Sequence, residues 1–270
     1  MRQTFRAALI AVAVLAFAAP ATSAPDRFDT AVAVSTRSPN NLARDKYRHP
    51  AATLRFIGVK PSDTVVELWP FGGWYTEILA PYLAHGGGSL IVASPPGRYG
   101  DMIARKISAD PTTYGAVKQS NFPTVLGGPQ VAPGTADVVL TFRNIHNWRM
   151  GYLAKDNADY SADAFRQIYA MLKPGGVLGI EDHRLPERMD TGLERSSGYL
   201  KVSTVRRLAE QAGFKFAGAS EVNANPKDTH DYAKGVWTLP PDYAEGDTDR
   251  AKYAAIGESD RMTLKFVKPK

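Results

Sequence analysis

The sequence predicts an α/β fold in which a mostly parallel, seven-stranded sheet carries helices on both faces and closes with an antiparallel C-terminal strand. Short β-branched apolar runs alternate with helical patterns between Val65 and Glu221, which is typical of parallel sheets. The last two predicted strands follow one another without a clear helix between them, which predicts the antiparallel strand. The 270 residues, 44% hydrophobic and 22% charged, are enough for one such domain with its own core.

The first 24 residues predict a secretory signal peptide. Arg2 and Arg6 precede an apolar run over residues 7–19, and small residues follow it. The run is short for a membrane-spanning helix, although an uncleaved anchor remains the alternative. We therefore expect an exported, periplasmic protein whose mature chain has no membrane span. Loss of Arg2 and Arg6 takes its formal net charge from +6 to +4.

Composition excludes several classes of function. The chain has no cysteine, which excludes disulfides, thiolate metal sites and a cysteine nucleophile. Its mild positive charge is spread along the sequence without a Lys/Arg block, so we expect a small-molecule partner and no nucleic acid. Residues 25–43 are polar and mixed, which predicts a flexible arm. The domain is expected over 44–270, with a long polar segment at 223–259 acting as a loop or lid.

The predicted domain is organised around one strand, one turn and one helix. The apolar run Val65–Leu68 predicts a buried strand, residues 70–73 a turn, and residues 74–84 a helix that stops at Gly86–Gly88. In an open α/β sheet such a turn lies at the carboxyl end of a strand, where ligands bind. An ordinary tight turn is the alternative. Glu67 favours a ligand site, because a carboxylate buried there without partners would be costly.

The other predicted elements follow from periodicity and turn signals. In chain order they are a helix over 44–57 ended by Gly58, a strand over 89–93, a helix over 101–108, a strand within 117–125, a strand over 136–142, a helix over 161–172 capped by Ser161, a turn at 173–176, a strand over 177–181, a helix over 203–212 capped by Ser203, and strands over 214–221 and 262–267.

Polar and aromatic side chains follow the fourth predicted strand and are candidates for catalysis. His146 is a candidate general base, because imidazole commonly serves that role near neutral pH. Arg143 is suited to fixing an anionic substrate, and Asn144 or Asn147 to orienting it. Trp148 is expected to wall the pocket. The alternative is that these residues only end the strand and pack.

A second polar run ends the neighbouring fifth strand and is expected to face the same crevice. Asp182 is placed to orient His183 as an alternative base, or else to pair with Arg184. A metal site built from Asp182, His183 and His146 is conceivable. No HxxxH or HExxH spacing supports it, so we expect no metal.

The order of these elements resembles the class I S-adenosylmethionine-dependent methyltransferases, which have a Rossmann-like fold. The resemblance lies in the strand–glycine turn–helix unit, in Asp137–Leu140, and in Leu172–Gly176 before the fifth strand. Residues 69–77, 141–148 and 182–184, with Asn225–Asp228 and Asp260–Arg261, are similar to a bacterial group of predicted exported methyltransferases. The resemblance covers about residues 44–270.

The resemblance implies that the chain binds S-adenosylmethionine as a cofactor and transfers its methyl group to a small molecule. It implies that Glu67 and the turn backbone hold the methionine end. The expected cofactor-binding residues are Glu67, Trp69, Phe71, Gly72, Gly73, Tyr75 and Ser94. Two residues depart from the family pattern: Trp69 stands where a glycine is usual, and Ser94 where an acidic residue usually grips the ribose. Ser94 offers one hydrogen bond without the paired grip of a carboxylate.

A second hypothesis competes with methyl transfer. S-adenosylmethionine is made inside the cell, whereas the signal peptide predicts export. An exported ligand-binding or scaffolding protein that reuses the fold without methyl transfer is therefore the alternative. A hydrolase is disfavoured, because the sequence lacks a Gly-x-Ser-x-Gly elbow.

Overall fold

The computed structural model describes residues 27–270, so the predicted signal peptide lies outside the described residues. Its seven strands form one sheet in the order β3-β2-β1-β4-β5-β7-β6. The strands are β1 (Thr64–Leu68), β2 (Ser89–Ser94), β3 (Lys118–Asn121), β4 (Ala136–Phe142), β5 (Leu172–His183), β6 (Lys215–Ser220) and β7 (Arg261–Val267). Strand β7 is antiparallel to both β5 and β6, and the other pairs are parallel, which confirms the predicted fold class.

Helices cover both faces of the sheet. They are α1 (Arg27–Val32), α2 (Pro39–Leu42), α3 (Asp45–Arg48), α4 (Pro50–Ile57), α5 (Thr76–Ala84), α6 (Arg98–Ala109), α7 (Pro111–Tyr114), α8 (Ile145–Arg149), α9 (Ser161–Met171), α10 (Val202–Gln211) and α11 (Arg250–Ile256). Side chains alternate along β1, so that Val66 and Leu68 join one apolar core and Val65 joins the core on the other face. Each helix of residues 27–270 is too short or too polar to cross a bilayer.

The chain connections reverse direction between β1 and β4. Strand β1 leads outward through α5 to β2 on one side, while β4 pairs with β1 on the other. This reversal opens a crevice at the carboxyl ends of β1 and β4, which is where doubly wound sheets bind ligands. The fold therefore places the predicted turn and the predicted catalytic run beside one crevice.

Several predicted element boundaries were wrong for identifiable reasons. The first predicted helix is two helices, because His49 adopts a left-handed conformation at φ 39° between α3 and α4. Ser161 and Ser203 do not cap their helices; each instead donates backbone and hydroxyl hydrogen bonds to a nearby carboxylate, Asp159 and Glu187 respectively. Strand β5 begins at Leu172, so the predicted turn at 173–176 is an irregularity at its start.

Both segments that looked irregular in the sequence pack onto the domain. In residues 27–43, Phe28 stacks on Tyr82 at a centroid distance of 4.2 Å, and Arg37 forms a paired ion bridge with Asp45. The segment 223–259 contains α11 and a 3-10 turn at Gly235–Thr238. Asn225 joins the two ends of this segment by donating to the carbonyls of Ile256 and Glu258, and Asn223 attaches it to the domain by donating to the hydroxyls of Thr53 and Thr263. These segments cover the crevice.

Candidate active site

The crevice encloses a cavity of about 720 Å³. Its floor comes from the carboxyl ends of β1, β4 and β5, and its cover comes from residues 41–48, 236–242 and 258–259. A volume in this range suits a ligand of nucleoside or drug size. Trp69 and Phe71 line the cavity without filling it.

Glu67 lies at the end of β1 and lines the cavity while being only 2% exposed. Its Oε2 accepts a hydrogen bond of 2.6 Å from the Thr76 hydroxyl at the start of α5. Burial raises the pKa of Glu67 to about 7, an effect that the Thr76 hydrogen bond and the charge of Arg143 only partly oppose. A buried carboxylate that lines a cavity and has a pKa near neutrality suits a ligand's ammonium or hydroxyl group.

Replacing Glu67 with glutamine is expected to change the pH dependence of stability. Because the folded pKa lies above the unfolded value, the wild-type protein loses stability as pH rises from about 4.5 to 7, and Glu67→Gln does not. The difference in unfolding free energy between variant and wild type should grow by about 3 kcal/mol from pH 4.5 to pH 8. Urea unfolding at several pH values measures it, with the exposed Glu210→Gln as control. A constant difference would contradict the raised pKa.

The turn after β1 is held by two residues in left-handed conformations. Trp69 has φ 47° and Phe71 has φ 50°. The Trp69 indole is buried in the core, where its Nε1 donates to the Phe122 carbonyl at 2.9 Å. A side chain at Gly72 would meet nothing within 4 Å, so its backbone faces the open cavity. Gly73 instead has φ +79° and packs against α6, outside the cavity lining.

Tyr75 and Ser94 occupy different surroundings. Tyr75 lines the cavity and stacks on Phe142 at the end of β4, with a centroid distance of 3.5 Å. Burial and the nearby charge of Glu181 raise the pKa of Tyr75, so its hydroxyl stays protonated. Ser94 is buried at the end of β2, is not among the cavity-lining residues, and its hydroxyl bonds no residue of the described chain. The side chain expected to grip a ribose therefore lies away from the cavity.

Among the residues that line the cavity, His146 has the contacts that best suit a proton acceptor. It lies on α8, a short helix that the sequence analysis missed, and is 4% exposed. Its Nδ1 donates to Asp182 Oδ1 at 2.7 Å, which leaves Nε2 as the free position. Asp182 also accepts from the backbone N–H groups of Ile145 at 2.7 Å and His183 at 2.8 Å. This carboxylate therefore fixes the tautomer and orientation of the His146 ring.

The prediction that Asp182 orients His183 or pairs with Arg184 was wrong. Adjacent residues of a strand point to opposite faces, so the Asp182 side chain reaches His146, while His183 Nδ1 lies 2.6 Å from the Ser259 hydroxyl. Arg184 forms a bidentate bridge to Asp260. Burial, followed by the charge of His146, holds the pKa of His183 well below its usual range, so His183 is a weak base.

Possible metal-ligand atoms of His146, Asp182 and His183 lie within 4.8 Å of one another. The two Asp182 oxygens, however, already accept four hydrogen bonds from Ile145, His146 and His183. Such a carboxylate has no free lone pair aimed at an ion. The geometry therefore favours an orienting role for Asp182.

The other residues predicted after β4 divide between cavity and core. Arg143 lines the cavity, and its Nη1 contacts Glu181 Oε1 at 3.3 Å. Asn144 does not line it; its amide donates to the Leu68 carbonyl at 2.9 Å and joins the ends of β1 and β4. Trp148 is fully buried in the core, so the expectation that it walls the pocket was wrong. Asn147 is a lining residue.

Sequence reasoning missed the charged groups that the covering segments bring in. Arg44 and Arg48 line the cavity and bond to Glu258 through their Nε atoms at 2.6 and 3.0 Å. Arg48, Arg261 and Arg44 outweigh the effect of burial and lower the pKa of Glu258 to about 2. In the sequence, the one indication of these charged groups is indirect. The pair Asp260–Arg261, which is among the residues similar to the predicted exported methyltransferases, begins two residues after Glu258.

Aromatic side chains form another part of the cavity wall. Tyr99, at the start of α6, meets Phe71 edge to face at a centroid distance of 5.1 Å, and its hydroxyl contacts that of Tyr152. All three line the cavity. They offer apolar ring faces to the cavity.

Comparison with known proteins identifies the fold. No protein-family model and no curated protein sequence matches the chain. A SAM-dependent methyltransferase from Aquifex aeolicus aligns with 84% of this chain and 93% of its own at 14% identity and a TM-score of 0.56. The alignment with the [4+2]-cyclase SpnF covers 82% of this chain and 80% of the cyclase, at 14% identity and a TM-score of 0.56. The alignment with the YcgJ protein of Bacillus subtilis covers 83% of this chain and 99% of YcgJ, at 11% identity and a TM-score of 0.51. The chain therefore has the fold of class I S-adenosylmethionine-dependent methyltransferases.

Proposed function

We propose that the protein transfers the methyl group of S-adenosylmethionine to a small-molecule acceptor. One observation carries the proposal: a buried acid beside an open glycine backbone, and a carboxylate-anchored imidazole, line the same cavity. The first arrangement suits binding of the cofactor, and the second suits removal of a proton from an acceptor. The likeness of the fold to solved methyltransferases supports the proposal but does not carry it, since one of the similar structures is a cyclase.

The chain's residues fit the methionine half of the cofactor better than the ribose. Glu67 and the backbone at Gly72 would hold the methionine end, because the carboxylate is buried toward the cavity and the glycine leaves room. Ser94 lies outside the cavity lining, so the end of β2 supplies no acidic side chain to bind the ribose hydroxyls. Phe71 and Tyr99 would instead offer ring faces to the adenine.

Bound S-adenosylmethionine supplies an electrophilic methyl group, and the protein's own part is alignment and proton removal. His146 accepts the acceptor's proton at Nε2. Asp182 holds the Nδ1–H and stabilises the imidazolium that forms. Buried side chains around the cavity limit the access of water.

Calorimetric titration of the chain lacking residues 1–24 with S-adenosylmethionine and S-adenosylhomocysteine tests this function. We expect saturable binding of both. Gly72→Leu, which places a side chain in the open space of the cavity, is expected to abolish binding without lowering the melting temperature, because φ at Gly72 is not in the left-handed region. Absence of heat and of thermal stabilisation at millimolar ligand would reject the proposal.

That negative result would favour the second candidate, an exported binding or scaffolding protein on the same fold. The position of Ser94 supports this candidate, since it removes an expected cofactor contact. We also propose export to the periplasm on the basis of the signal-like residues 1–24. Cell fractionation followed by N-terminal sequencing tests it, and recovery only from the cytoplasm with Met1 retained would contradict it.

A further inference from the structure

Three arginines converge on one part of the cavity. Arg44 and Arg48 come from the covering segment at α3, and Arg143 comes from the end of β4; we call these three the arginine cluster. A fourth arginine, Arg261, lies buried behind them at the start of β7. The proposed methyl-transfer chemistry gives these cations no role.

The protein supplies too few carboxylates to neutralise these four guanidinium groups. Glu258 bonds to Arg44, to Arg48 and, at 3.1 Å, to Arg261. Glu181 bonds to Arg261 at 2.9 Å and to Arg143. Four cations thus share two carboxylates. Asp242 also lines the cavity near Arg44, Arg143 and Arg48, so even with this third carboxylate the four cations keep an excess of one positive charge. The arginine cluster therefore leaves positive charge facing the cavity.

The cluster also has unused hydrogen-bond donors. Arg48 is 3% exposed, yet only its Nε donates a hydrogen bond to a residue of 27–270, and its guanidinium lies over the Trp74 ring at 4.9 Å. Arg44 likewise uses only Nε, and the Arg143 side chain only Nη1, among the described residues. Of the three, only Arg48 is buried, and a buried guanidinium with free donors is costly unless an anion meets it; the Arg44 and Arg143 side chains are 25% and 19% exposed. Planar guanidinium forks match the geometry of a carboxylate.

We propose that the arginine cluster binds the carboxylate group of a ligand held in the cavity. The choice of ligands rests on the proposed function: the carboxylate belongs either to the amino-acid end of the nucleoside cofactor or to an acidic methyl acceptor. Either source supplies the missing negative charge. The two sources predict different results in a two-part binding experiment.

The first part compares S-adenosylhomocysteine with 5′-methylthioadenosine, which is the same nucleoside thioether without the amino acid. The variant Arg48→Met is titrated with both compounds. Arg44→Met serves as a second variant in case Arg48→Met fails to fold. If the carboxylate is the cofactor's, S-adenosylhomocysteine loses about 30-fold in affinity and 5′-methylthioadenosine loses none. The exposed Arg105→Met carries the same charge change and should alter neither affinity.

The second part compares acetate with its neutral isostere acetamide, at constant ionic strength, on protein saturated with S-adenosylhomocysteine. If the carboxylate is the acceptor's, acetate raises the melting temperature and acetamide does not, and Arg48→Met removes the difference. The Arg105→Met control should keep it.

Parallel losses for both nucleosides in the first part, together with equal effects of acetate and acetamide in the second, would overturn the carboxylate site. If the wild-type protein binds neither nucleoside, the proposed methyltransferase function fails on its own. The acetate and acetamide comparison on the free protein then decides the carboxylate site independently. Acetate-specific stabilisation that depends on Arg48 would still support it.

Discussion

Replacing His146 with alanine is expected to lower methyl-transfer turnover by about 10²- to 10⁴-fold, the usual contribution of a positioned general base. The affinity for S-adenosylhomocysteine should stay nearly unchanged, because the groups that fit the methionine end, Glu67 and Gly72, belong to β1 and its turn. Formation of S-adenosylhomocysteine with any acceptor that supports it measures turnover, and calorimetry measures affinity.

Two variants separate a proton-accepting role from a structural one. Asp182→Asn removes the negative charge that holds the His146 Nδ1–H and is expected to lower turnover and shift its pH profile, while the exposed His85→Ala leaves both unchanged. Equal losses of turnover, affinity and melting temperature in His146→Ala would indicate that the imidazole only supports the packing of α8.

Replacing Glu258 with glutamine is expected to destabilise the protein by about 3–5 kcal/mol, because it leaves buried arginines without their shared carboxylate. Glu258 is 5% exposed and joins the covering α3 segment to β7. Unfolding in urea at neutral pH measures the loss. The matched control is Glu221→Gln, since Glu221 pairs with Arg184 at the surface with its side chain 70% exposed. This control should cost at most about 1 kcal/mol.

The pH dependence of stability gives an independent check on Glu258. Its folded pKa of about 2 lies below the unfolded value, so its contribution is present above about pH 4.5 and is lost as pH falls through 2. Glu258→Gln should therefore show a flatter stability profile between pH 4.5 and 2 than the wild type. Identical acid profiles would mean that the carboxylate contributes little to folding.

The sequence predicted the centre of the sheet well because β1 and β4 are buried on both faces. Continuous β-branched runs such as Ala136–Phe142 have few alternative structures, and the observed β4 has the predicted bounds. Weaker sequence signals gave wrong predictions where another local interaction took the place of the expected one. Asp159 and Glu187 satisfied the helix starts that Ser161 and Ser203 were expected to cap, and no periodicity revealed α8, which is only five residues long.

The candidate site was predictable only in part. Because strand ends meet at one edge of a parallel sheet, the sequence could place Glu67, Arg143, His146 and His183 near one another, and all four line the cavity. Ser94 does not line it, and its buried hydroxyl has no hydrogen-bond partner among the described residues. Which side chain Asp182 would orient depended on the path of α8.

By itself the sequence determined the α/β architecture and the crevice at the carboxyl ends of its strands, because local hydrophobic patterns set both. Only the tertiary structure decided the partners of the charged groups. Arg48 and Glu258 are separated by 210 residues, and no local pattern signals their contact. Long side chains from distant segments meet wherever packing brings them, so the electrostatics of the cavity are a property of the folded chain alone.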